Sequence, residues 1–304
     1  MKITVAIPTY NRAARLRETL AGVTRQDFPA EEFEILVIDN NSPDATAAVV
    51  AEFAAAVPAP RRILETRQGL DHARNRAIAE ARGDIIVFAD DDILVRPDWL
   101  AELARPFAAD PAIAAVGGEV IPVFPDGLPD WVKDWHGPLA FRPDAGPLAR
   151  HQSPMGANLA IRRRVFDELG RFHTALDRSA DSYFSGGDAE MIRRIRAAGH
   201  GVWFAPAAAV RHQMPASRTT FRYAARHAFD SARSRVIDRA GRPGAAAYLL
   251  SRLPAQAVKA LGCGLWALAC ALCLRRGAAK KALVRGWRSC GYVYQILRSA
   301  RGKT

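Results

Sequence analysis

Five consecutive apolar residues, Ile85-Ile86-Val87-Phe88-Ala89, run straight into three aspartates, Asp90, Asp91 and Asp92. An apolar run of this length without alternation reads as a strand buried on both faces, as in a parallel sheet covered by helices. In open sheets of that kind ligands sit outside the carboxyl ends of the strands, and that is where the three carboxylates fall. Left alone they repel one another, and a divalent cation would relieve the repulsion. The other reading is that two of them cap the next helix, expected to start at Pro97-Asp98-Trp99-Leu100. Capping, however, takes one acid rather than three.

The chain around this segment alternates in the same way. Ile3–Ile7 reads as a strand and Ala13–Arg25 as a helix with Leu16, Leu20 and Val23 on one face. Glu34–Ile38 reads as the next strand, followed by the turn-rich Asp39-Asn40-Asn41-Ser42-Pro43-Asp44 and an alanine-rich helix. A short strand at 62–65, a helix over Gly69–Ala81, a helix over Pro97–Phe107 and a strand over Ala112–Val116 continue the series. Strands alternating with helices through short connections predict an α/β fold with a mostly parallel, Rossmann-like central sheet flanked by helices. From Gly118 to about Pro154 the pattern dissolves into Pro, Gly and aromatic residues, including Trp131, Trp135 and Phe141. Such a segment is either a functional lid or a surface excursion pinned by its tryptophans. Order returns over Ala157–Leu169 and in a helix over Ala189–Ala198, for which Asp188 is placed to act as N-cap.

Charge divides the chain. The net charge is +12, yet residues 211–304 hold 19 Lys/Arg against two acids, Asp230 and Asp238, so the rest is mildly acidic. Within this basic region Ala260–Leu274 is an uncharged apolar run, preceded by Lys259 and followed by Arg275 and Arg276. The run falls short of the roughly 20 residues that span a bilayer. With Lys280, Lys281, Arg285 and Arg288 beyond it, and Trp287, Tyr292 and Tyr294 interleaved, it suits a helix lying in an anionic membrane surface. The alternative for 253–274 is a C-terminal helix packed on the domain. Nucleic acid is not an expected partner, because a long uncharged run serves no phosphate contact. All four cysteines, Cys263, Cys270, Cys273 and Cys290, lie in this region and read as small apolar residues rather than ligands. Residues 1–262 contain none, so no disulfide framework supports the main domain, which suits a reducing compartment. The N-terminus reads as the first strand rather than a signal peptide. The expected location is therefore cytoplasmic, peripheral on the inner face of the cell membrane.

Polar groups gather where the expected strands end: Pro8-Thr9-Tyr10-Asn11-Arg12, Asp39-Asn40-Asn41 and Asp90-Asp91-Asp92. Groups converging on one edge of a parallel sheet make a single site. Asn40, Asn41 and Ser42 also read as plain turn formers. The segments VAIPTYNR (5–12), VIDNNSPDAT (37–46), GLDHARNRAI (69–78), IIVFADDD (85–92), GANLAIRR (156–163), GGDAEMIRRIRAAGH (186–200) and APAAAVRH (205–212) together resemble, in order, the inverting glycosyltransferases of family 2, which have the GT-A fold.

That resemblance implies a GT-A domain over 1–212, and the charge and apolar run make 213–304 a basic helical, membrane-associating region. It implies that Thr9, Tyr10 and Asp39 line the nucleotide base and that Arg74 supports the nucleotide. Asp90 and Asp91 would serve ribose and diphosphate, with Asp92 the direct ligand of a divalent cation (Mn²⁺ or Mg²⁺) and His212 a further ligand. Asp188 falls on the expected general base, with Glu190 as a fallback base or supporting group. Gly187 stands where the family usually has a glutamate. Asn158 and Trp131 are expected on the acceptor side, whereas Arg162, Arg163 and Arg164 read as a solvated helix start. The implied partners are a nucleotide-sugar donor, a saccharide or lipid-linked acceptor and an anionic membrane surface. The competing readings are a nucleotidyltransferase of related fold, whose glycine-rich phosphate loop is missing from Pro8–Arg12, and a catalytically degenerate GT-A scaffold, which only Gly187 favours.

Overall fold

The computed structural model describes residues 1–124, 127–132, 144–176, 183–184, 186–240, 242 and 244–300. Trp135 and Phe141 of the irregular segment lie outside the described residues. Two compact units are present: Met1–Val123 with Pro138–Thr174 and Gly187–Met214, and Phe124–Gly137 with Ala175–Gly186 and Pro215–Thr304. Two segments upstream of the basic region thus belong with it, an association that a linear boundary at residue 212 does not capture.

The first unit is built on one sheet of nine strands: β1 (Ile3–Thr9), β2 (Phe33–Asp39), β3 (Arg61–Leu64), β4 (Ile85–Ala89), β5 (Ile93–Val95), β6 (Ile113–Val123), β7 (Gly146–Pro147), β8 (Asn158–Arg162) and β9 (Gly201–Gln213). Their order is β3-β2-β1-β4-β8-β6-β9-β5, with β7 on β9. The strands β3, β2, β1 and β4 run parallel. Beyond β4 the sheet is mixed: β8 is antiparallel to both β4 and β6, β6 runs parallel to β9, and β5 and β7 are antiparallel to β9. The mostly parallel sheet expected from the sequence is thus a mixed one, with parallel pairing among β3, β2, β1 and β4 and again between β6 and β9. Strand β9, thirteen residues long and interrupted by Pro206, carries too little alternation to be read as a strand from its sequence.

Alternate residues of each central strand feed two cores. Val5, Ile7, Ile85 and Val87 pack with Leu16 and Leu20 of α1 (Ala13–Val23), Val49 of α2 (Thr46–Glu52), and Trp99 and Leu103 of α4 (Trp99–Ala109). Ala6, Ile86 and Phe88 point the other way, onto Ala73 and Ala77 of α3 (Leu70–Glu80), Phe166 of α5 (Arg164–Leu169) and Met191 and Ile195 of α6 (Gly187–Ala197). Burial on both faces is what removes the period-2 pattern from β1 and β4. Short β5 separates the three aspartates from α4, so they do not cap it, and no side chain caps α4 at Asp98.

The second unit holds α7 (Phe221–Ala240), α8 (Ala245–Leu272) and α9 (Arg276–Ala300). The apolar run lies in the C-terminal half of α8 up to Leu272, and the 28 residues of this helix have the length and composition to cross a membrane. One side of α8 buries Leu249, Gln256, Ala267 and Cys270, while Val258, Leu261, Leu265, Leu268 and Leu272 are exposed on the other, between 59% and 77%. Packing of α8 on a domain core, the alternative for this region, does not account for that open face. Cys270 and Cys273 stand in the C-x-x-C spacing of redox and zinc sites, but one is buried, the other exposed, and all four cysteines are free.

Candidate active site

The order β3-β2-β1-β4 reverses direction between β1 and β4, and at such a switch point the carboxyl ends of the strands open a ligand crevice. The turns there are tight. Asn11 and Asn41 adopt left-handed backbone (φ 53° and 62°), a conformation Asn tolerates better than most residues. Asn40 staples the crevice: its Nδ2 donates to the carbonyls of Glu65 and Arg67, and its Oδ1 accepts from Gly69 N–H.

The aspartate triplet divides at this edge. Asp91 is buried, its Oδ2 accepting from Thr9 Oγ1 (2.7 Å) and its Oδ1 from Arg12 Nη1 (3.0 Å). Burial pushes its carboxyl up to about 6, against the pull of Arg12. With a partner at each oxygen, Asp91 ties the end of β1 to the end of β4 through Thr9 and Arg12. Asp90 and Asp92 face His212 instead. Its Nε2 lies 3.6 Å from Asp90 Oδ2 and 3.0 Å from Asp92 Oδ1. This meeting is made by β-pairing, because Ile93 of β5 stands opposite His212 of β9 and Gln213 N–H donates to Asp92 O. Burial works to lower the His212 pKa, but hydrogen bonds to Asp90 and Asp92 raise it to about 9. Burial likewise opposes ionisation of Asp92, and His212 and Arg12 overcome it and hold the carboxyl below its usual range.

One ligand atom from each of Asp90, Asp92 and His212 lies within 4.8 Å of the others. Two hard carboxylate oxygens and an imidazole form a donor set that fits a divalent ion such as Mn²⁺ or Mg²⁺. Among the described residues no other group of three or more metal-type ligands occurs.

Asp39, at the end of β2, is buried; its Oδ1 accepts from Ser42 N–H, and its Oδ2 from Arg62 Nε and Nη2 (2.9 and 2.6 Å). Tyr10 is exposed at the mouth of β1. Arg74, fully enclosed, donates from Nη1 to Asp71 Oδ1 (3.1 Å) and Asp188 Oδ1 (3.0 Å), and its guanidinium lies 5.3 Å from the centre of the Phe172 ring. Burial disfavours its charge, yet Asp188, Asp71 and nearby Asp90 raise its pKa. Arg74 was expected to support a nucleotide; its partners here are carboxylates.

Asp188 is held at both oxygens, by Arg74 and by Gly156 N–H (2.9 Å to Oδ2), and its side chain keeps 29% of its surface open. It is not an N-cap: α6 begins at Gly187, which places Asp188 inside the first turn. Glu190 is buried, its carboxylate shared by Arg194 and Arg193, and so unavailable as a base. Asn158 is also enclosed. Its Nδ2 donates to the carbonyls of Glu119 and Ala208, and its Oδ1 accepts from Trp99 Nε1. It joins β8, β6, β9 and α4 rather than meeting an acceptor. Arg162 is likewise engaged rather than solvated, donating to the carbonyls of Ile113 and Phe107. Trp131 belongs to the second unit, where it packs on Phe221 (centroids 6.2 Å apart) with the Lys280 ammonium 5.5 Å from its ring centre.

Sequence reasoning missed Arg12, Arg62 and Asp71. Arg12 and Asp71 lie inside motif segments, Asp71 one helical turn before Arg74. Arg62 had no signal beyond a short strand ending near Asp39.

A mixed sheet flanked by helices, with an acidic cluster at its switch point, is an architecture of GT-A type. The chain belongs to glycosyl transferase family 2, whose model matches residues 4–170. It is 29% identical to glycosyltransferase AglE of Haloferax volcanii over 211 residues, 67% of this chain and 64% of AglE. It is 25% identical to the glucosyl-dolichyl phosphate glucuronosyltransferase of the same organism, over 73% of this chain and 72% of that protein. The fold also matches the mannosyltransferase PcManGT of Pyrobaculum calidifontis, solved with GDP-Man and Mn²⁺ (TM-score 0.64, 24% identity, 98% of this chain and 87% of that one).

Proposed function

We propose that this chain is a metal-dependent, inverting glycosyltransferase that moves a sugar from a nucleotide-sugar donor to a saccharide or lipid-linked acceptor in cell-surface glycan biosynthesis. The observation that carries the reading is the Asp90–Asp92–His212 cluster at the switch point, with Asp188 pinned but partly open nearby. Asp90, Asp92 and His212 would hold a divalent cation, which would supply Lewis-acid stabilisation of the charge developing on the departing nucleoside diphosphate. Asp39 and Arg62 offer an acceptor and a donor side by side for the edge of the nucleobase, and exposed Tyr10 offers a face beside it. Asp188 takes the proton of the acceptor hydroxyl as its oxygen bonds to the anomeric carbon and the carbon–diphosphate bond breaks. A single displacement of this kind inverts the anomeric centre. Arg74 and Gly156 N–H fix the direction in which that carboxylate points. The name of the second archaeal relative, which specifies a dolichyl-phosphate-linked sugar, supports a lipid-linked acceptor.

We assign the second unit to the inner face of an anionic membrane. The exposed apolar stripe of α8 supplies the inserted surface and the basic residues around it the attraction to headgroups. A flat orientation is favoured over crossing. Gly286 of α9 lies against Ala260 and Cys263 of α8, so Arg285 and Arg288 travel beside the apolar run. Crossing would take them into hydrocarbon at roughly 2.5–3.5 kcal/mol each.

The enzymatic reading is tested with UDP-glucose, UDP-GlcNAc, GDP-mannose and dTDP-glucose, each with and without MnCl₂. One donor should raise the thermal midpoint only with metal. Asp188→Asn should keep that rise and lose about a hundredfold or more of nucleoside diphosphate release. A metal-independent response to every donor, or full turnover in Asp188→Asn, sinks the reading.

A further inference from the structure

Two glycines make room for the carboxylates around Arg74. At Gly187 an added Cβ would lie 2.5 Å from Asp71 Oδ2 and 3.0 Å from Asp71 Oδ1. At Gly156 it would lie 2.1 Å from Arg74 Nη2 and 2.8 Å from Asp188 Oδ2. The row Asp71–Arg74–Asp188 therefore fills volume that side chains at 156 and 187 would otherwise take. Asp71 is buried, as is Arg74, and the two are one turn apart on α3, so their geometry is set by a rigid element. The Asp71 carboxylate also stands against the first residue of α6, where the helix dipole favours a negative charge.

Arg74 Nη1 divides itself between Asp71 and Asp188 at nearly equal distances. Without Asp71 the guanidinium has one carboxylate partner in this row. It would then turn toward Asp188, drawing that carboxylate out of line and offering it a second hydrogen bond at the expense of its ability to take a proton. In this arrangement Asp71 acts through Arg74.

We propose that Asp71 is a positioning residue of the transfer reaction, its carboxylate using the space above side-chain-free Gly187 to hold Arg74 and, through Arg74, to aim Asp188. This rests on the reading of Asp188 as the base. It also accounts for Gly187: the second carboxylate beside Asp188 comes from α3 across the gap, not from the preceding residue of α6. The distance from Cβ to Oδ in an aspartate matches the 2.5 Å separating a Cβ at 187 from Asp71 Oδ2. An aspartate at 187 can therefore place an oxygen where Asp71 has one, provided Asp71 is shortened.

The test compares wild type, Asp71→Asn, Asp71→Ala, Gly187→Asp, the double variant Asp71→Ala/Gly187→Asp, and Asp188→Asn. The readouts are Mn²⁺-dependent UDP or GDP release from UDP-glucose and GDP-mannose, and thermal unfolding. Asp71→Asn, which keeps the volume, should lower kcat by about tenfold or more with donor KM within a few-fold, the signature of an interaction that matters after binding. Gly187→Asp should lose kcat and several degrees of thermal midpoint, because two carboxylates claim one volume. The double variant should regain both relative to Gly187→Asp. Wild-type kcat in Asp71→Asn, with Asp188→Asn inactive, overturns this inference alone. Full turnover in Asp188→Asn overturns the base assignment and this inference with it. A double variant no better than Gly187→Asp in midpoint and kcat shows that the volume is not shared and overturns the exchange.

Discussion

Arg12 is the residue on which the acidic edge depends when no cation is bound. It bridges Asp91 and Asp92 at 3.0 and 2.8 Å, and both carboxylates are buried. Removing it, as in Arg12→Met, leaves two enclosed carboxylates short of a counter-charge. The expected cost is about 3 kcal/mol, the low end for a broken buried pair because Arg12 is itself partly open to water. Millimolar Mn²⁺ should recover part of the lost thermal midpoint in the variant and shift it more than in wild type. An equal shift in both proteins would argue against a shared role for Arg12 and a cation.

A second prediction concerns Glu65, whose carboxylate accepts from Arg67 backbone N–H, Nε and Nη2. The side-chain hydrogen bonds from Arg67 hold its pKa down at about 2 against burial. Because the folded value lies below the unfolded one, the contribution is present above the ordinary carboxylate range and is lost as pH falls toward 2. Glu65→Gln should therefore flatten the decline in urea midpoint between pH 4.5 and pH 2. A variant whose pH dependence parallels wild type would show that the pair adds nothing.

Among the elements, α8 presents the sharpest contrast between its two sides. Its residues Val258, Leu261, Leu265, Leu268 and Leu272 recur at three- and four-residue spacing, the period that places them on one helical face. An apolar helix left this open needs a non-aqueous neighbour. Leu265→Glu/Leu268→Glu should reduce sedimentation with phosphatidylserine-containing vesicles at least tenfold while leaving nucleotide-sugar hydrolysis in solution unchanged. Undiminished vesicle binding would exclude α8 as the inserted surface. Strand β9 is the other element that sequence left dark. Its role is to deliver His212 to Asp92 through β5, and nothing in the composition of residues 201–213 announces a thirteen-residue strand.

At the scale of the whole molecule, charge is segregated along the chain, and the 19 basic residues of 211–304 should act together over distances set by salt. Binding to anionic vesicles should fall more than tenfold between 50 and 300 mM NaCl, and uncharged phosphatidylcholine vesicles should bind weakly at both. Salt-independent binding would mean that the apolar face alone drives attachment. The division into two compact units matters here too, since segments within 124–137 and 175–186 join the C-terminal helices rather than the sheet.

The sequence by itself determined the strands buried on both faces, the position of the acidic triplet at a strand end, the family and the basic character of the C-terminal region. Each of these is local: hydrophobic period, turn residues and charge are properties of neighbouring residues, and a motif set is read in order along the chain. Only the tertiary structure decided which partners each carboxylate meets. Asp90 and Asp92 meet His212 because β5 and β9 pair, Asp91 is bonded to Thr9 and Arg12, and Glu190 to Arg193 and Arg194. Asn158 moves from the acceptor side to the interior for the same reason, its amide being spent on backbone carbonyls and Trp99. A polar side chain's task is set by the partners within about 3 Å of it, and the partners of Asp91, Asp188 and Asn158 lie 32 to 114 residues away in sequence.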